Sequence, residues 1–323
     1  MDDLIQSTQN RKDEHIQINL NEDVRSSSTN GFDRFHFINN ALPELDLDKI
    51  DTRTQFLGRQ LSAPLLISSM TGGTAEGFEI NINLAKAAEH AGIAMGLGSQ
   101  RVGLESPEMA KSFSLRKWAP TLFIMANIGA IQLNYGYGLE DCKRAVGMAE
   151  ANALILHLNA LQEALQPEGQ TNFAGLARKI ENICKNMEVP VIVKEVGWGI
   201  SANTARALSN LGVACVDVAG AGGTSWSQVE KYRNTSDARV RISSHFQDWG
   251  IPTAEGLHAI HVDQPSLPLI ASGGLRKGLD FAKSVALGAS LGGIAGGFLK
   301  AATQSSEAVT DVIKEVLLEL RIT

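Results

Sequence analysis

His157, Asn159, Gln162 and Glu163 fall close together in residues 153–163, ALILHLNALQE. The first half of this stretch is an apolar run of the kind that forms a buried parallel strand. Along a strand alternate residues face alternate sides, so His157 and Asn159 share one face and Leu156 and Leu158 take the other. An imidazole and an amide then point the same way at the strand's C-terminal end, with Gln162 and Glu163 in the loop that follows. In parallel α/β proteins that end of the strand carries the chemistry. The same groups could equally serve to tie down the loop, and the rest of the chain weighs between the two.

Polar and glycine-rich segments recur after other apolar runs. They are Met70-Thr71-Gly72-Gly73, Gly98-Ser99-Gln100-Arg101, Asn127-Ile128-Gly129, Lys194-Glu195, GAGGTSW at 220–226, SGGLR at 272–276 and GGIAGG at 292–297. The last two suit a phosphate: glycine lets backbone N–H groups approach an anion closely, and Arg276 adds charge. Lys194 and Asn127, with small residues at Gly72, Gly73 and Ala126, would leave room for a flat, electron-rich ring. Flavin mononucleotide (FMN) fits this pattern, and a phosphorylated sugar fits the same physics. Near the other end, Arg11-Lys12-Asp13-Glu14-His15 is a mixed charge cluster that by composition alone reads as solvated surface.

These segments are positioned by a regular alternation. Strand patterns occupy 64–69, 93–97, 122–128, 153–158, 190–195, 214–218, 269–272 and 290–294. Helical patterns follow at 79–91, 107–117, 140–150, 172–187, 201–211, 253–261, 278–287 and 305–319. Ser201 supplies a capping residue, and Ser106-Pro107 reads as an N-cap followed by proline in the first turn. Eight strands each followed by a helix is the count of a (β/α)8 TIM barrel in the α/β class. The first turn lacks the GxGxxG of a doubly wound sheet. Residues 63–323 form the barrel in this reading, and 1–62 an irregular N-terminal extension with a flexible stretch at 25–31 and a hairpin turn at Gly58-Arg59. The long connection 222–249, carrying Trp226 and Arg233, reads as a lid or a subunit contact.

The 323 residues are 44% hydrophobic and 20% charged, which is ordinary for a protein with a large core. A formal charge of -6 gives no support for nucleic-acid binding, although a small anion needs only local positive charge. Cys142, Cys184 and Cys215 are scattered, which argues against a disulfide framework or a zinc site and for thiols in a reducing cytoplasm. MDDLIQSTQNRKDEH lacks the apolar core of a signal peptide, and the apolar run at 287–299 is diluted with glycine, so no membrane span is expected.

RKDEH, SSMTGG, GSQR, ANIGA, HLNALQE, VKEVGWGIS, DVAGAGGTSW and ASGGLRKG occur in the order found in the type 2 isopentenyl-diphosphate isomerases, and the chain resembles that family from Arg11 to its last helix. The resemblance implies a cytoplasmic, homotetrameric or homo-octameric enzyme that uses reduced FMN, Mg2+ and NADPH as reductant. Such an enzyme interconverts isopentenyl and dimethylallyl diphosphate by adding one proton and removing another. It implies FMN contacts at Met70, Thr71, Gly72, Ser99, Asn127, Lys194, Thr224, Gly274, Leu275, Arg276, Ala295 and Gly296. Diphosphate contacts would fall at Arg11, Lys12, Ser99, Gln100, Arg101 and Gln162, with residues 1–62 covering the substrate. Glu163 would hold Mg2+, and His15, His157, Asn159 and Gln162 would be the active-site set. An FMN-barrel oxidoreductase of the 2-hydroxy-acid oxidase type is the rival reading. It calls for a histidine base near the flavin, and no histidine falls in the loop after the seventh strand.

Overall fold

The computed structural model describes the backbone of residues 2–323 and the side chains from Asn10 onward. A small antiparallel hairpin, β1 (Thr54–Phe56) and β2 (Arg59–Leu61), precedes eight parallel strands. These are β3 (Leu65–Ile67), β4 (Ala94–Gly96), β5 (Phe123–Gly129), β6 (Ala153–His157), β7 (Val191–Lys194), β8 (Cys215–Asp217), β9 (Leu269–Ser272) and β10 (Leu291–Ile294). They close as β10-β3-β4-β5-β6-β7-β8-β9, so the chain is a (β/α)8 barrel. Each strand lies within the segment its sequence pattern marks, except that β5 runs one residue past it to Gly129.

The barrel interior is built in layers two residues apart, because the side-chain period of a strand is two. One layer is apolar: Leu66, Ala94, Met125, Ile155, Ile192, Cys215, Ile270 and Leu291 pack together with Phe56 and Leu61 of the hairpin. The hairpin therefore plugs the bottom of the barrel, and burial of each of the leucine, isoleucine, methionine and phenylalanine side chains contributes about 1.5–3 kcal/mol. Two residues further along the same strands stand Ser68, Gly96, Asn127, His157, Lys194, Asp217, Ser272 and Gly293. The switch from an all-apolar layer to one of polar residues and glycine marks where the core ends and a site begins. The opposite face of each strand packs outward on the helices; Ala126 belongs there, among Ile124, Ile128 and Leu154, and makes no room inside the barrel.

Several helices depart from expectation. Helix α1 (Asp2–Asn21) stands where the extension reads as irregular. The stretch at 25–31 is not loose: the amides of Ser26 and Ala254 donate to Gly223 and Asn30 carbonyls at 2.8 and 2.9 Å, and Ser225 N–H donates to Val24 at 2.8 Å. The connection 222–249 folds as two helices, Trp226–Arg233 and Asp237–Ser244. After Ser106 the helix is only Pro107–Ala110 with a 3-10 turn at Lys111–Phe113, which turns Phe113 and Leu115 into the core. Capping at Ser201 holds, its hydroxyl accepting from Thr204 N–H at 3.2 Å. Cys142 and Cys215 are buried, Cys184 is half-buried and all three are free. Among the described residues no helix is long and apolar enough to cross a membrane.

Candidate active site

A cavity of about 750 Å³ opens above the polar layer. Its floor is Ser68, Asn127, His157, Lys194, Ser272 and Gly293, and α1 with residues 22–25 closes over it. The inward stripe of α1 follows helical spacing, Arg11-His15-Asn19 beside Lys12-Ile16-Leu20, and all six residues line the cavity.

His157 is held by amides. Asn127 gives its Nδ2–H to the Leu97 carbonyl at 2.9 Å, so its Oδ1 accepts from His157 Nδ1 at 2.7 Å. This fixes the proton on Nδ1 and leaves Nε2 as an acceptor. Burial, then the charges of Lys194 and Lys12, push the imidazole down to about 3, so it is neutral at any physiological pH. Gln100 stands behind Asn127: its Oε1 accepts from Asn127 N–H at 2.8 Å and its Nε2 donates to the Ala145 carbonyl at 2.9 Å. Strand β4 ends at Gly96, and the Gln100 side chain supplies the partner that Asn127 N–H would otherwise lack. Gln100, expected as a diphosphate contact, is fully buried and does not line the cavity; its side chain serves Asn127 instead.

Gln162 and Glu163 sit on a short helix, Ala160–Leu165, and not in a loop. Asn159 precedes that helix and donates to Gln162 Oε1 at 3.2 Å and to Glu163 Oε1 at 2.9 Å. Glu163 Oε2 accepts from Gln166 Nε2 at 2.7 Å and Gln170 N–H at 2.6 Å. Gln162 Nε2 in turn donates to Glu230 Oε1 at 3.0 Å, and His15 Nε2 meets the same oxygen at 3.2 Å. Arg233 Nη1 donates to Glu230 Oε2 at 2.7 Å. Burial alone would raise the Glu230 carboxyl, yet the hydrogen bond and charge of His15, with Arg233 and Gln162, hold it below its usual range. Burial lowers His15, partly offset by Glu230. Glu230 and Arg233 were missed as site residues because their segment reads as loop; on a helix they lie three residues apart on one face.

Cations gather on one side. Lys12 Nζ donates to the Gly72 carbonyl and, at 2.8 Å, to that of Ser99. Burial, then the Arg11 charge, push it down to about 7. Burial also lowers Arg11, whose Nη1 lies 3.6 Å from Glu168. Arg101 lines the same cavity. Crowded, desolvated cations of this kind favour a polyanionic ligand.

At the other side Gly273 and Gly274 have φ of 104° and 80°, conformations open to glycine, and a Cβ at Gly296 would meet only Thr224 Oγ1 at 3.9 Å. Met70, Thr71, Leu275, Arg276 and Ala295 line the cavity with them, and Ser99 lies on its wall too. Gly72 does not line it: an added Cβ would strike Phe113 at 2.5 Å, so glycine here serves packing while its carbonyl holds Lys12. Glu195 faces away from the lumen and folds onto its own loop, accepting from the amides of Val196 at 2.6 Å and Gly197 at 2.7 Å. The cavity-lining atoms Ser68 Oγ, Ser69 Oγ, Thr71 Oγ1 and Asn159 Oδ1 are buried without a protein partner, which is what a polar ligand would satisfy. Volume, glycine cradle and orphaned polar atoms together fit FMN.

A family profile described as FMN-dependent dehydrogenase matches residues 18–122 and 145–323. An isopentenyl-diphosphate delta-isomerase of Nostoc sp. is 51% identical over 314 residues, covering 97% of this chain and 90% of its own. Another, of Rickettsia canadensis, is 50% identical over 313 residues, covering 97% and 92%. The chain belongs to the type 2 isopentenyl-diphosphate isomerase family. Among solved structures, a monotopic membrane (S)-mandelate dehydrogenase superposes with a TM-score of 0.68 at 15% identity, covering 98% of this chain and 93% of that one. A lactate oxidase from Pediococcus acidilactici gives 0.67 at 15%, covering 98% and 88%. At that identity the likeness is one of fold. Within the isomerase family's pattern, the cavity brings together every residue named above from the resemblance except Gln100 and Gly72.

Proposed function

We propose that the protein interconverts isopentenyl diphosphate and dimethylallyl diphosphate, with reduced FMN and Mg2+ bound. The observation that carries this reading is that one cavity has two separate places for anions. The loops after β9 and β10 offer glycine backbone for the FMN phosphate, and Arg11, Lys12 and Arg101 offer charge for a diphosphate. A 2-hydroxy acid has one carboxylate and would leave most of these cations unpaired. The cavity-lining histidines among the described residues, His15 and His157, both have lowered basicity, which suits neither for the base of a hydride transfer.

Lys194, Asn127, Thr71, Ser68 and the glycine loops would hold FMN, which when reduced supplies an electron-rich ring able to stabilise a cationic centre and carry a proton. Glu163 would hold Mg2+, since one carboxylate plus substrate phosphate and water is a common magnesium arrangement. Among the described residues no group of three or more histidine, cysteine or acidic side chains forms a metal cage, which such a shared site does not need. The reaction adds a proton to the terminal alkene carbon and removes one from the neighbouring methylene, so no net redox change occurs. Gln162 is oriented by two hydrogen bonds of its side-chain amide, donating to Glu230 and accepting from Asn159, and is not itself an acid. Glu230 and His15 form a proton-holding pair next to it, and His157 presents a fixed neutral acceptor. Helix α1 excludes water that would quench a carbocation-like centre. NADPH would serve only to reduce FMN. A homotetramer or homo-octamer belongs to the same reading, and the exposed Ile38, Leu42 and Leu45 are apolar surface that assembly would cover.

The test is the visible spectrum and the product. Purified protein should show a flavin spectrum, and after reduction in the presence of Mg2+ it should convert isopentenyl diphosphate to dimethylallyl diphosphate. Colourless protein, or reduced and flavin-loaded protein without product, would contradict the proposal.

A further inference from the structure

Arg101 opens a short helix, Arg101–Glu105, directly after the loop that follows β4. Its Nε donates to Glu105 Oε1 at 2.9 Å, one helical turn on. The Tyr137 hydroxyl, from the loop after β5, donates to the same oxygen at 2.9 Å. Glu105 Oε2 is buried with no partner. Among the described residues the terminal nitrogens Nη1 and Nη2 of Arg101 form no hydrogen bond, and the side chain lines the cavity. A guanidinium has two edges that can grip an oxyanion. Occupying Nε commits one of them to the protein and leaves the Nη1/Nη2 edge for bidentate contact with phosphate. Arg11 differs: among the described residues its one carboxylate contact, Glu168, is at 3.6 Å, and Arg233 takes that same Glu168 oxygen at 2.9 Å.

We propose that Glu105 and Tyr137 are positioning residues that hold the Arg101 fork toward the substrate diphosphate. The inference rests on the reading of Arg101 as part of the diphosphate site. A carboxylate next to a polyanion site weakens anion binding by simple charge repulsion, so its presence there needs a geometric return. Burial and the Glu105 charge raise the Tyr137 phenol well above its ordinary range, so it stays protonated and donates throughout the working pH range. The tie also joins two barrel loops, so the arginine is set before substrate arrives.

The sign of one substitution separates positioning from charge. If Glu105 acted only through its charge, Glu105→Gln would tighten anion binding; if it positions Arg101, the same change weakens it. The experiment is calorimetric titration of the FMN- and Mg2+-loaded protein with inorganic pyrophosphate. Glu105→Gln should raise Kd about tenfold, by loss of a charge-assisted hydrogen bond. Tyr137→Phe should raise it about threefold, by loss of a neutral one. KM for isopentenyl diphosphate should rise in parallel with kcat within about twofold, since only binding geometry is touched. In an Arg101→Ala background Tyr137→Phe should add nothing, because its effect passes through Arg101. Wild-type or lower Kd in both single variants, or a Tyr137→Phe effect that persists without Arg101, overturns the proposal. Tyr137→Phe removes one oxygen and decides the matter even where Glu105→Gln does not fold. If Arg101→Ala itself leaves Kd at the wild-type value, the diphosphate reading of Arg101 fails and the positioning claim fails with it.

Discussion

Lys12 lines the cavity with a protonation that a bound anion can change. Burial and Arg11 push its ammonium down to about 7 from an ordinary value of 10.5. For a base lowered in the folded state, stability is fully present above the unfolded value and falls as pH drops from 10.5 toward about 7. A bound diphosphate reverses that cost by supplying negative charge. Pyrophosphate binding at pH 8 should therefore draw about one proton onto the protein. Calorimetry in buffers of different ionisation enthalpy reads this directly, and Lys12→Met should abolish the buffer dependence in excess of pyrophosphate's own. Identical enthalpies for wild type and Lys12→Met after buffer correction would show that Lys12 does not meet the anion. His157 and Gln100 make a different point about single residues. HLNALQE is readable as a site because an imidazole and amides end an apolar strand, whereas the buried role of Gln100 depends on where β4 stops, which no local pattern shows.

Helix α1 is the element that completes the cavity, and it is one that hydrophobic patterning misses. Its inward face is mostly polar because it lies against a polar cavity, so the usual apolar stripe is absent; Ile16 is its one fully buried apolar residue among those described. The spacing of residues 11, 15 and 19 beside 12, 16 and 20 nevertheless carries the helical period. Several bonds fasten the helix: Lys12 to the Gly72 and Ser99 carbonyls, His15 to Glu230, and Glu14 to Arg233, which also reaches Glu168 and the fully buried Glu230 on its own helix. The bonds to Glu14 and Glu168 are with half-exposed carboxylates and are worth at most about 1 kcal/mol each. The Glu230 pair dominates, since removing one partner of a buried pair costs about 3–5 kcal/mol. Arg233→Met should lower the unfolding free energy by roughly that amount, speed proteolysis within α1, and raise KM while FMN stays bound. Unchanged stability would show that the Arg233–Glu230 pair carries no such weight, and unchanged proteolysis that Arg233 does not help to hold α1.

As a whole the molecule is a barrel closed at both ends by its first 62 residues: a hairpin plug below and a helix above. The eight strands were legible because each is a short apolar run bounded by turn residues, and the rim was legible because glycine and polar residues follow nearly every one. The closure was legible only through the family resemblance, which implied that residues 1–62 cover the substrate; patterning could not show it, because it depends on contacts between residues such as His15 and Glu230 that lie more than two hundred positions apart. With two anion places in one cavity and a proton-holding pair beside it, the central claim is isomerisation without net oxidation. The direct measurement is the amount of dimethylallyl diphosphate formed per NADPH consumed under anaerobic conditions, with limiting reductant and Mg2+ present. The account predicts many product molecules for each NADPH, which serves once to reduce the flavin. One NADPH consumed for each substrate converted would contradict it.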